Sequence, residues 1–553
     1  LPAELSPAPP APGEPSEPAP AELAPPPELL EPLPCPEPSL RLLPASLVDP
    51  EPFWKRRLFE IVALGITLCF FYFITSYWAP AHPGVDQNGY LVGGKQLALT
   101  GSSGMKLAHP LEYVGSMWVI TGDLSSDNVW YYPKYPIGLP LLYAIPLWIN
   151  WEHGKDFAFY VSPAGAAMAV LGMFFLVRTV AGSFVGVMGM VLLGMNTVML
   201  ALANNPNSHA SCTAFVVWGM FMLLRWWQTG AIWRGLLAGF LLGFAVTIRY
   251  TEGLLILPLG VAVLSVLPYR QILKVSWWRI AVCVALGAGA TALRLYERDG
   301  HSIIRAVFAG LLALGILIPW WKKKAIFRHP LFYLGLVATA LLVAAIAIGV
   351  PDAWQPVRDT DGSIKLAESY DVQAAVLLGL TFAFLTFTIY SPPSWRRGVT
   401  PILGWLIPVL WLLGFNWFAM HTITGYDSTN ESSAFTEAGF QQKWEFMVSQ
   451  LYQYGAFFLL PLTVLGLMLM WRWSARVALA AMLWLMPGVL LYTAYYWGNN
   501  NNGLGYLRFF LTLVPAMILP AVWFLRHGAY WRADSGEITP RRGSIGMPIA
   551  CGV

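Results

Sequence analysis

The sequence predicts an all-α polytopic membrane protein with about fourteen transmembrane helices and a large first extracytoplasmic loop. Three observations predict it. Of 553 residues, 56% are hydrophobic and 12% charged, where a soluble domain carries roughly 25% charged residues. The mean hydropathy is +0.55, and the apolar residues gather into runs near the length that crosses a bilayer. The chain also holds 26 Trp and 23 Tyr, residues that collect at membrane–water boundaries.

Residues 1–52 are a different material. They hold 18 of the 43 prolines, mixed with Ala and Glu. Such a segment buries too little apolar surface to offset its ordering entropy, so it is expected to be an extended, disordered cytoplasmic tail. It is expected to be neither a signal nor a transit peptide, having no basic start and no apolar stretch. Docking a partner is its other reading. Lys55-Arg56-Arg57 then precedes an apolar run over 58–78, the first predicted span, with its basic flank on the cytoplasmic side.

Further apolar runs lie near 157–178, 183–203, 208–228, 233–248, 252–268, 277–293, 303–320, 330–350, 374–391, 399–420, 455–471, 476–495 and 509–525. Together they make a membrane domain over 53–526, followed by a cytoplasmic tail at 527–553. With the N-terminus inside, Arg178, Arg225, Arg234, Arg270, Lys274, Arg279, Lys322, Lys323, Lys324, Arg328, Arg396, Arg397, Arg472, Arg476 and Arg526 all fall inside. That bias predicts that both termini are cytoplasmic. The scheme requires 137–150 not to cross. Short and carrying Pro140 and Pro146, that segment reads as an interfacial or dipping helix.

The stretch 79–156 then becomes one outer loop with interfacial helices. Smaller outer segments follow at 351–373, 421–454 and 496–508. With no large soluble domain, any chemistry is expected at the outer face. A net charge of +4 is explained by the inner loops and implies no nucleic-acid partner. Cys35, Cys69, Cys212, Cys283 and Cys551 are scattered, with neither a zinc spacing nor a disulfide pattern.

Several residues could carry chemistry. Asp86, just past the first span, suits a proton acceptor or a metal ligand, and equally a helix N-cap. Lys134 sits in Tyr131-Tyr132-Pro133-Lys134-Tyr135-Pro136, where an ammonium can bind a lipid phosphate or anchor the segment at the interface. Arg249 and Glu252, in Ile248-Arg249-Tyr250-Thr251-Glu252, are costly near membrane depth unless paired or lining a wet cavity. They read as a functional pair or as a structural ion pair at a tight turn. Arg508 can bind phosphate or anchor a helix end. In Asn204-Asn205-Pro206-Asn207-Ser208-His209, His209 can ligate a metal, or stand incidentally behind a capping Ser208. Asp427, Glu431, Glu437 and Glu445 have no diagnostic spacing and read as solvated loop acids. Asn430-Glu431-Ser432 is a weak glycosylation pattern.

As a set these features resemble the GT-C glycosyltransferases, in the branch of protein O-mannosyltransferases and the lipid A aminoarabinose transferase. The resemblance lies in one span, a large outer loop opening with an acid, and many spans after it. That branch's loop opens roughly Asp-Glu-x-x-Tyr before a helix ending in a Gly turn. Asp86-Gln87-Asn88-Gly89-Tyr90 and Leu97 to Gly101 match this outline. Pro133-Lys134-Tyr135-Pro136 with Leu141-Leu142-Tyr143-Ala144 is similar to a later stretch of the branch. Tyr506-Leu507-Arg508-Phe509-Phe510-Leu511, leading to Val514-Pro515, is similar to the start of its last helix.

The resemblance implies a GT-C-like fold, a polyprenyl-phosphate sugar donor, and inverting transfer to a hydroxyl of a protein, lipid or glycan acceptor at the outer face. It makes Asp86 the general base or a metal-bound carboxylate. Lys134, Arg249 and Arg508 become the cations for the donor phosphate, with Gln87, Tyr90, Tyr132, Glu252 and His209 in support. A divalent metal, with Asp86 and His209 as its candidate ligands, stays open. Gln87 departs from the pattern by replacing an acid, and Asn205 and His209 stand where relatives often place another. Two other classes compete: a transporter of a lipid-linked substrate, and a structural or assembly subunit of a membrane complex. Transporters place broken helices and polar residues near the midplane, whereas the unusual residues here cluster at the outer ends.

Overall fold

The computed structural model describes residues 51–79, 84–106, 118–121, 129–266, 393–420, 422–423, 425, 436–455, 458–495 and 507–527. The tail at 1–50, the apolar runs at 277–293, 303–320, 330–350 and 374–391, the segment 351–373, Asp427, the 430–432 sequon and the tail beyond 527 lie outside the described residues.

The fold is a bundle of apolar helices, and the chain is an integral multi-pass membrane protein. Helix α1 (Phe53–Thr75) is followed by α2 (Val85–Thr100). Strands β1 (Trp118–Thr121) and β2 (Trp130–Pro133) follow, then α3 (Gly138–Ile149), α4 (Trp151–Phe157), α5 (Val161–Ala181), α6 (Ser183–Gly194) and α7 (Thr197–Ala203). Next come α8 (Ser208–Thr229), α9 (Ile232–Ile248), a 3₁₀ turn at Tyr250–Leu255 and α10 (Ile256–Val266). The later helices are α11 (Pro393–Met420), α12 (Glu437–Gln450), α13 (Leu459–Trp473), α14 (Ala475–Ala494) and, after a 3₁₀ turn at Arg508–Leu513, α15 (Val514–His527).

Among the described residues, six helices are long and apolar enough to cross a membrane, or up to eight if each bent pair is one span. Four of the fourteen predicted runs lie outside the described residues, and some of the described ones depart from a straight full-length span. Helix α9 has 17 residues, a rise of about 25 Å against a hydrocarbon core of about 30 Å. The predicted run at 183–203 breaks into α6 and α7, which meet at 62°. Asn196 makes that break, because its side chain accepts hydrogen bonds from the backbone N–H groups of Val198 and Met199 and starts a new helix.

The segment between α1 and α5 holds an element that apolar periodicity did not predict. Strands β1 and β2 form an antiparallel pair in which Val119 faces Tyr132 and Ile120 faces Tyr131. Aromatic and β-branched residues in both strands suit a pleated, half-buried surface. The pair leads into α3, a 12-residue apolar helix too short to span.

Among the described residues, helices α9 and α11 pack backbone against backbone. Gly235, Gly239 and Gly243 recur every four residues on α9. A Cβ at Gly239 would run into the carbonyl of Pro401, and one at Gly404 of α11 into the carbonyl of Leu236. Small residues at this spacing let two backbones touch, which is how apolar helices associate without a hydrophobic driving force between them.

The two ends of the bundle differ in chemistry. At the end where α1 begins and α5 finishes, Glu60 lies 2.8 Å from both Arg57 and Arg178. Arg225 and Arg234 sit at the same end, at the finish of α8 and the start of α9. The starts of α2 and α8, the ends of α9 and α11, and the entry to α15 meet at the other end. That is where the predicted site residues gather.

The α9–α11 seam generates a test. Gly239→Leu is expected to lower the detergent-solubilised melting temperature by about 5 °C or more, as overpacking costs of ~1–3 kcal/mol imply. Gly414→Ala on α11, where the added Cβ meets nothing within 4 Å, should leave it unchanged. Equal melting of both variants would sink the close-seam reading.

Candidate functional site

Asp86 does not cap its helix. The N-cap of α2 is Gly84, which offers no side chain, and Asp86 sits in the first turn. A carboxylate there is favoured by the helix dipole, while its oxygens remain available. Tyr135 donates a 2.7 Å hydrogen bond to Asp86 Oδ1. Arg508 lies 3.9 Å from Oδ2, and the two charged side chains are 34% and 35% exposed. This is a loose ion pair at an accessible position, formed between residues more than four hundred positions apart.

Tyr135 is brought there by β2 and α3, which flank it. Its ring packs against that of Tyr90 at a centroid distance of 4.5 Å. Tyr90 follows Asp86 by four residues on α2, so the two share a helix face. Burial first, and then the neighbouring Tyr90 and Asp86, hold the Tyr135 phenol well above its ordinary range. Burial raises the Tyr90 phenol too, against a hydrogen bond with Ser208. Both tyrosines are therefore protonated donors at neutral pH.

Beneath this pair lies a buried charge network. Arg249 is 8% exposed and terminates α9. Its Nη1 lies 2.9 Å from His209 Nδ1, and its Nη2 donates to the Tyr492 hydroxyl at 2.9 Å. Glu252 is 3.9 Å away and accepts a 2.9 Å hydrogen bond from Thr512. Tyr492 in turn donates to Thr251 at 2.6 Å. Because a guanidinium only donates, His209 Nδ1 accepts, and the ring proton resides on Nε2. Phe509 joins the two levels. Its ring lies under Arg508 at 4.9 Å and under Arg249 at 5.9 Å, and stacks on Tyr492.

The remaining predicted residues take varied places. Gln87 is buried and donates through Nε2 to Asn205 Oδ1 at 2.9 Å. The two amides that replace acids of the resembled pattern thus meet each other. His209 starts α8, but the cap is Asn207, which accepts from His209 N–H, and not Ser208. Lys134 is half-buried, its ammonium over the Tyr135 ring at 5.6 Å. Tyr132 packs away from Asp86, against Phe415 and Met420 near the end of α11. Arg249 and Glu252 form the ion pair at the tight turn that the spacing allowed, with added partners from α8, α14 and the entry to α15.

A divalent metal fits this arrangement poorly. The Nδ1 of His209 is committed to a guanidinium, whose charge repels a cation. Among the described residues no group of three His, Cys, Asp or Glu side chains is placed to hold a metal ion.

Sequence reasoning missed Tyr135, Tyr492, Thr251, Thr512, Asn205 as a partner of Gln87, and Phe509. Tyr135 lay inside a motif already singled out, but nothing in Tyr131-Tyr132-Pro133-Lys134-Tyr135 tells which ring reaches back to α2. Tyr492 and Thr512 carry no local signal, because their partners are some 240 residues or more away.

A family model described as dolichyl-phosphate-mannose-protein mannosyltransferase matches residues 147–293, about a quarter of the chain. The chain is thereby similar to the GT-C glycosyltransferases that its sequence resembles. No curated protein sequence matches it.

Among solved structures, the archaeal oligosaccharyltransferase AglB from Archaeoglobus fulgidus, in complex with an inhibitory peptide and a dolichol-phosphate, is 14% identical, with a TM-score of 0.39. That match covers 90% of this chain and 54% of that one, so the chain spans about half its length. ArnT from Cupriavidus metallidurans bound to undecaprenyl phosphate is 13% identical, with 85% and 77% covered and a TM-score of 0.26.

The buried network generates a stability test. Arg249→Met strands the Glu252 carboxylate, and removing one partner of a buried pair costs ~3–5 kcal/mol. The expected fall in melting temperature is about 10 °C. Adding Glu252→Gln should recover several degrees of it. A double variant that melts below Arg249→Met would contradict the pairing.

Proposed function

We propose that this chain is a membrane glycosyltransferase that moves a sugar from a polyprenyl-phosphate carrier to an acceptor hydroxyl. The observation that carries the reading is the meeting of Asp86 and Arg508 at an accessible point over a buried polar floor. One group there can take a proton and the other can neutralise a departing phosphate.

In this reading the acceptor oxygen attacks the anomeric carbon and its proton passes to Asp86. The bond from that carbon to the phosphate oxygen breaks, and the carrier phosphate leaves with the electron pair. Arg508 opposes the charge that develops there. Its Nε is buried without a hydrogen-bond partner in the structure, a donor that a phosphate oxygen would satisfy. Lys134, close by on the Tyr135 segment, supplies a second cation for the same phosphate. Arg249 contributes from below: its guanidinium is engaged by His209, Tyr492 and Glu252, which suits holding the entry to α15 better than gripping a mobile ligand. The basic residues at the opposite end favour a cytoplasmic location for that end, which puts the site on the extracytoplasmic side.

The test is turnover in proteoliposomes supplied with a panel of polyprenyl-phosphate sugars. Asp86→Asn is expected to lose at least about 100-fold in kcat with a melting temperature near that of wild type. Arg508→Met should lose about 100-fold or more. Absence of wild-type turnover with every donor, or full turnover in Asp86→Asn, would overturn the mechanism and favour transport or assembly.

A further inference from the structure

We propose that Tyr135 is a positioning residue for Asp86, fixing the carboxylate through Oδ1 so that Oδ2 is the oxygen left beside Arg508. The inference rests on the reading of Asp86 as the base and adds the device that aims it.

An aspartate carboxylate turns easily, because its terminal torsion is broad and roughly two-fold. The start of α2 does not restrain it, since Asp86 lies within the first turn instead of folding back to cap it. The restraint comes from the 2.7 Å hydrogen bond donated by the Tyr135 hydroxyl. Tyr135 is itself held at several points. Its ring rests on Tyr90, which is 5% exposed and on the same face of α2 as Asp86. Its backbone runs between Pro133 and Pro136; Pro136 confines the preceding residue to extended conformations.

The far end of this segment is also fixed. Gly138 opens α3 so close to α9 that a Cβ there would collide with the Oγ1 and carbonyl of Thr247. The hydroxyl is thus presented by a segment with little freedom, anchored on α9 two residues before Arg249.

The test uses the full chain in proteoliposomes and the variant Tyr135→Phe, which keeps the ring against Tyr90 and removes only the hydroxyl. With a polyprenyl-phosphate sugar that the wild type turns over, kcat at neutral pH is expected to fall about tenfold. The donor KM should stay within about twofold. A loss carried by KM would overturn the proposal.

A second readout needs no turnover. The Asp86 carboxylate band, isolated by infrared difference between wild type and Asp86→Asn, should shift in frequency in Tyr135→Phe, where the hydrogen bond to Oδ1 is lost. An unmoved band overturns the positioning role whatever the kinetics show. If instead the band moves while Asp86→Asn retains full turnover, Tyr135 still positions Asp86, and it is the assignment of Asp86 as base that fails.

Discussion

The site end of this protein depends on a positive charge that has been taken out of water. Arg249 closes α9 inside the bundle, and burying a lone guanidinium there would be prohibitive. It is tolerable because α8 offers His209, α14 offers Tyr492 and the adjoining turn offers Glu252. Each of these elements is thereby tied to the same atom group. Glu252 extends the tie to Thr512 and the entry of α15. Four separate parts of the chain are in register because one charge needs all of them.

Upon this floor the accessible chemistry is thinly built. The Phe509 ring contacts both guanidiniums, the buried one of Arg249 and the part-exposed one of Arg508. Above it, Asp86 and Tyr135 come from the first loop, while Arg508 comes from the far end of the chain. The amides Gln87 and Asn205 are joined through Gln87 Nε2, and among the described residues Asp86 is the carboxylate that pairs with Arg508.

Much of this layout was legible in the sequence, and the rest was hidden for definite reasons. Composition and run length show a membrane body, because bilayer thickness acts on each helix separately. The cost of burying charge singles out Arg249 and Glu252 from their immediate neighbours alone. By contrast, the break at Asn196 looks like an uninterrupted apolar run until its side chain is seen to start α7. The role of Asp86 was also undecided, since an acid in a first turn and an acid at a cap differ by a residue or two. Which tyrosine of the 131–135 stretch reaches α2 depends on where β2 ends and α3 begins. No periodicity encodes that.

The glycine seam between α9 and α11 has a consequence for how firmly the site end is held. Their backbones touch at Gly239 and Gly243, and the ends are joined again where the Tyr250 hydroxyl meets Asn416 at 3.1 Å. Two rods fused along their length cannot part like jaws. Among the described residues, the pieces nearest the site end of this pair are α2, the strand pair and α3, all shorter than the rods. The buried charge and the Asp86–Tyr135 pair are thus carried by one frame, in which α3 is keyed to α9 where Gly138 meets Thr247.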